Sequence, residues 1–95
     1  MRSFAAVLPC FVATLLSATA VQGADEFYGE IERRPAQKVG TWVVGGKTVE
    51  VTANSRLEAD HGPFVVGACV EVEHRNQIVI EMSTESRSLC KRKGS

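Results

Sequence analysis

The chain has no excess charge of either sign. Eleven Lys and Arg balance eleven Asp and Glu, so the formal net charge is +0. That balance excludes a global electrostatic pull toward nucleic acid or anionic lipid. Catalytic signatures are also missing. There is no Ser/His/Asp order, no glycine loop that would cradle a phosphate, and no ligand spacing typical of a metal site. Internal repeats and low-complexity segments are absent as well, which excludes solenoids and disordered tracts. The apolar stretch Phe4 to Leu16 is shorter than the roughly 20 residues a membrane span needs, and no positively charged stop follows it.

What that stretch does resemble is a cleavable export signal. Arg2 supplies the positive start, the apolar run follows, and Ser17, Ala18, Thr19 and Ala20 supply the small-residue exit. Cleavage fits after Ala20 or after Gly23, and the polar turn at Asp25 and Glu26 favours Gly23. Pro9 and the short apolar run before Cys10 argue against lipid attachment there, so Cys10 leaves with the signal. The expected organisation is therefore a signal peptide over 1–23 and a single domain over 24–95. The expected location is periplasmic or secreted.

Removing residues 1–23 from 95 leaves 72 residues, with ten Lys and Arg against eleven Asp and Glu. A domain so small buries only about 60% of its unfolded surface, so a covalent staple helps it. Two cysteines survive export, Cys69 and Cys90. An even count in an oxidising compartment predicts one disulfide. It would close a loop of about 21 residues, worth on the order of 3 kcal/mol in the chain-entropy model.

Strand-like runs fill the mature chain. In the first, Phe27 to Arg33, alternation puts Phe27, Gly29 and Ile31 on one face and Tyr28, Glu30 and Glu32 on the other. Gly29 suggests a bulge or sharp coil there. The runs Val39–Val44 and Lys47–Ala53 flank Gly45-Gly46, which suits a two-residue turn with positive φ. That turn sets Trp42 opposite Val49 and turns Trp42, Val49 and Val51 inward. Between Asn54 and Gly67 the pattern is irregular. Ser55 and Glu58 resemble a capping box that would start a helical turn, and a short strand near Arg56-Leu57 is the alternative. The last two runs are Ala68–Glu73 and Ile78–Met82. A three-residue loop, Arg75 to Gln77, would place Val72 opposite Ile80 and Val70 opposite Met82. Cys69 would then point outward near Ser83, and Val43 and Val79 would form an outward apolar pair. Five short antiparallel strands predict an all-β domain closed into a small barrel.

Several of these strings together resemble a bacterial family of exported domains of unknown function. They are Tyr28-Gly29-Glu30-Ile31-Glu32, Gly40-Thr41-Trp42-Val43-Val44-Gly45-Gly46, Val49-Glu50-Val51-Thr52 and Val66-Gly67-Ala68-Cys69-Val70-Glu71-Val72-Glu73. The resemblance spans roughly Phe27 to Cys90 and implies a small five-stranded OB-like β-barrel. Family members often carry Gly in the last hairpin loop, where this chain has Arg75-Asn76-Gln77. The resemblance brings no catalytic residue.

Function is therefore read from side chains alone. Trp42 is expected in the core. Tyr28 faces outward between Glu30 and Glu32, with Arg33 and Arg34 after it, and this group is the candidate binding surface. His61 and His74, even with Asp60, match no metal-ligand spacing, and Glu50, Glu71, Glu73 and Glu81 read as a solvated face. Lys91-Arg92-Lys93 reads as a solvated basic tail. The expectation is a non-enzymatic binding module with no cofactor. An envelope protein, a peptide or an oligosaccharide would be its partner, and no nucleic acid is expected. A structural or assembly subunit is the alternative, and a small hydrolase or metal-dependent enzyme is a third reading.

Overall fold

A computed structural model describes residues 23–91; the expected signal peptide, apart from Gly23, and the basic tail beyond Lys91 lie outside the described residues. The strands are β1 (Asp25–Arg33), β2 (Gly40–Val44), β3 (Lys47–Val51), β4 (Arg56–Glu58), β5 (Cys69–Arg75) and β6 (Ile78–Thr84), followed by one helical turn, α1 (Ser88–Lys91). The domain is all-β as expected. The sheet order is β3-β2-β1-β5-β6-β4, and a further pairing of β3 with β6 closes five of the strands into a ring.

The expected antiparallel pairing holds at four of the ring's five contacts, and parity sets the fifth. Strand direction cannot alternate all the way round a ring with an odd number of members. One contact must be parallel, and it is β3 with β6, through Glu50 and Ile78. The Glu50 amide donates to the Gln77 carbonyl at 2.8 Å and the Gln77 side-chain amide donates to the Thr48 carbonyl at 3.1 Å, which secures that contact. The short strand β4 also runs parallel to β6 and adds a sixth member outside the ring.

The hairpin of β2 and β3 forms in the expected register, with Trp42 opposite Val49 and Val44 opposite Lys47. Gly45 and Gly46 have φ of 56° and 80°, a left-handed pair that L side chains rarely adopt. Trp42, Val44, Val49 and Val51 from this hairpin join Ile31, Val70, Val72, Val79 and Met82 in one buried cluster. Gly29 does not mark the bulge in β1. The pairing with β2 shifts between Ile31 and Arg33 instead, leaving Glu32 as the extra residue. Gly29 is there for close approach: a Cβ would lie 2.9 Å from the Gly45 Cα. The two backbones meet where the Gly45 amide donates to the Glu30 carbonyl.

The last hairpin corrects the expected register. Its turn is two residues, Asn76-Gln77, with Asn76 at φ 59°, and Arg75 pairs with Ile78. A bulge between Glu73 and His74 then absorbs Ile80, so Val72 faces Met82 and Val70 faces Thr84. Because of that extra residue, the inward positions of β6 run from Val79 to Met82. Val79 is buried and Ile78 is 45% exposed, so the outward pair of Val43 and Val79 does not exist. Between β3 and β5 the strand alternative holds over the helical one. Ser55 caps no helix; its hydroxyl accepts from the Thr52 amide and donates to the Val79 carbonyl at 2.6 Å. The loop before β5 is clasped by buried Thr84, whose hydroxyl accepts from the His61 amide and donates to the Gly62 carbonyl.

Candidate ligand groove

The expected Cys69–Cys90 disulfide is present, 21 residues apart in sequence. Cys69 sits on the outer face of β5, opposite Glu30 of β1, and on the β6 side its carbonyl accepts from the Glu85 amide, two residues past Ser83. It is also nearly covered, at 3% exposure, because the bond draws the tail over it. As a result α1 lies against β1 and β5.

That return of the chain makes a groove. Tyr28, Gly29, Glu30, Glu32, Gly45, Leu89 and Cys90 line an open hollow of about 660 Å³. Each lining residue has a local reason to be there. Alternation along β1 turns Tyr28 and Glu30 outward. The same alternation turns Glu32 outward, where the pairing with β2 shifts. Gly29 and Gly45 leave the floor without side chains, and the disulfide sets Leu89 and Cys90 as a wall. The two large apolar groups on the rim stay in solvent, with Tyr28 46% and Leu89 42% exposed.

The surroundings are acidic. Across the strands Tyr28 faces Glu71, Glu26 faces Glu73, and Glu73 faces Glu81. Arg56 reaches Glu81 at 3.7 Å at the far side of this face. Partial burial pushes the Glu71 carboxyl above its ordinary range, and the charge and hydrogen bond of Glu26, then Glu85 and Glu73, push it the same way. The Glu71 charge, burial, Glu85 and Glu26 in turn hold the Tyr28 phenol above its usual value. Glu26, Glu71, Glu73, Glu81 and Ser83 border a smaller hollow, yet among the described residues no group of three His, Cys, Asp or Glu is placed to hold a metal ion.

The Glu71 shift has a consequence for stability. Its folded pKa lies above the unfolded value of 4.5, so just above that pH the folded state binds more protons than the unfolded one. Stability contributed at Glu71 is therefore present in acid and lost as the pH rises through the folded pKa. Glu71→Gln is expected to raise stability at pH 7 by about 0.5–1 kcal/mol, with the gain fading below about pH 4. Urea unfolding at the two pH values checks this; a variant no more stable than the parent at pH 7 counts against it.

Of the residues expected on the binding surface, Tyr28 lies in the groove. Arg33 is exposed at the end of β1, opposite Val43, and does not line it. Arg34 is engaged elsewhere. Its guanidinium donates to the carbonyls of Pro35, Phe64 and Ala36 and lies 4.6 Å from the Trp42 ring centre. Arg34 therefore does not join Tyr28 in the groove, because three carbonyls and an indole hold its head group. His61 and His74 likewise face backbone, through Nδ1 to the carbonyls of Thr84 and Asn76. Leu89 and Cys90 were not expected in a site. Their signal was indirect: a disulfide to the strand beside β1 must bring the tail across Tyr28's neighbours.

No curated protein and no solved structure matches the chain. Residues 28–78, more than half of the chain, match the family model described as Domain of unknown function (DUF5666), and the chain belongs to that family.

Proposed function

We propose that the protein is an exported, non-enzymatic binding module of the bacterial envelope, with the groove beside Tyr28 as its ligand site. The observation that carries this reading is the groove itself. A half-exposed aromatic ring and an exposed leucine line one hollow together with two glycines, and a disulfide ties the leucine's segment to β5. Exposed apolar groups set against a few convergent polar ones are the usual make-up of a binding site. Export is supported by the charged start, apolar run and small-residue exit of residues 1–23, and a disulfide suits an oxidising compartment. The comparison with OB-like barrels, which bind elongated ligands, adds an analogy of fold.

The test uses protein recovered from outside the cytoplasm. Its N-terminus is expected at Val21 or Ala24, and it should capture a partner from envelope fractions. Tyr28→Ala is expected to keep the circular dichroism spectrum and lose most of that capture. Retained Met1, or capture unchanged in Tyr28→Ala, overturns the reading. An assembly subunit is the second reading, and the exposed Val65 and Val66 of the loop before β5, at 52% and 63%, favour it.

A further inference from the structure

We infer that the groove receives basic side chains of a peptide, a Lys or Arg head group meeting the Glu30 and Glu32 carboxylates beside the Tyr28 ring. This rests on the reading of the groove as the ligand site and specifies what enters it. Three observations converge. The charged side chains lining the groove are both carboxylates, Glu30 and Glu32, and among the described residues no basic side chain lines it. The Tyr28 ring on the rim is half-exposed, and an aromatic face attracts a cation that comes over it. Leu89, exposed in the same lining, offers an apolar surface for the methylene stem that a Lys or Arg carries behind its charge.

The electrostatics beyond the lining agree. Glu26, Glu71 and Glu85 are all close enough to raise the Tyr28 phenol's pKa, so the potential at the ring is negative. An anionic ligand would meet this field as repulsion. A neutral sugar would find acceptors but few donors, since the polar side chains on the lining are two carboxylates and one phenol. A basic side chain uses all of them. Each exposed contact is weak by itself, the ion pair and the cation–π contact alike. Affinity must therefore come from several contacts made together, which an extended peptide with more than one basic residue provides.

The experiment is fluorescence anisotropy with labelled hexalysine and hexaarginine, hexaglutamate as the control, and the oxidised protein. The basic peptides are expected to bind, more weakly as salt rises, and hexaglutamate is not. Joint replacement Glu30→Gln and Glu32→Gln should weaken binding about tenfold, and Tyr28→Leu about fivefold. Joint replacement Glu73→Gln and Glu81→Gln, on the same sheet but outside the groove, should change it by less than about twofold. Equal losses from the two glutamine pairs would show a diffuse attraction to the acidic face and overturn the inference, as would failure of both basic peptides to bind. A neutral oligosaccharide that binds in a Tyr28-dependent way, where hexalysine does not, overturns the ligand class and leaves the groove as the site. If binding of no probe depends on Tyr28, both readings fall.

Discussion

Trp42→Ala is expected to leave the chain without a native fold. The indole is fully buried, packs edge-on against Phe64 with ring centres 6.1 Å apart, and donates from Nε1 to the Lys38 carbonyl at 2.8 Å. Removing a buried Trp side chain costs about 3–5 kcal/mol from lost transfer energy and the cavity left behind. Two further losses follow. The Lys38 carbonyl loses its donor, and the Arg34 guanidinium loses the ring it lies over. A domain of this size has a total stability of only roughly 3–10 kcal/mol. The substitution therefore removes most or all of it. Trp42→Phe keeps an aromatic ring against Phe64 and should fold with a lowered urea midpoint. A Trp42→Ala protein that unfolds cooperatively at the parent's midpoint would show that the core is not organised around the indole.

Breaking the disulfide should have the next largest effect. Cys90→Ala is expected to cost about 2–5 kcal/mol, since the bond constrains the unfolded chain across a 21-residue separation. Cys90 is the cleaner position to change because it is half-buried, whereas Cys69 is 3% exposed and its removal would also disturb packing. A dithiol reductant acting on the parent protein, itself oxidised as Cys69 and Cys90 become two thiols, should reproduce the variant's melting curve. The same reductant should leave the variant unchanged. Equal melting temperatures for parent and Cys90→Ala would mean that the tail contributes nothing to the fold. With the bond gone, Leu89 and Cys90 lose the tether that sets them as a wall of the groove.

How much of this could be read in the sequence depends on how local the cause is. The β2–β3 hairpin was fully legible, because the alternation of Trp42, Val49 and Val51 and the positive-φ demand of Gly45-Gly46 point to one register. The disulfide followed from counting the two cysteines that lie beyond the expected signal peptide, Cys69 and Cys90. The β5–β6 register was not legible. One bulged residue, Ile80, reverses which side chains of β6 face inward, and alternation has no means of announcing an inserted residue. Arg34 was misplaced for a different reason. Its partners, Phe64 and Trp42, come from distant segments, so a reading along the chain saw a free guanidinium where the fold has a buttress. The groove was half legible: Tyr28, Glu30 and Glu32 were read from β1, while the wall opposite needed the tail's path in three dimensions.

The way the ring closes also bears on when this chain can fold. Only the β1–β2–β3 meander and the β5–β6 hairpin join neighbours in sequence. The remaining joins, β1 with β5 and β3 with β6, bring together strands separated by much of the chain. Until β5 and β6 exist, Trp42 and Ile31 have no Val70, Val72 or Met82 to pack against, and the partial sheet has an uncovered core face. Such non-local topologies carry high contact order and fold slowly. The ring therefore closes only once the whole length from β1 to β6 is present.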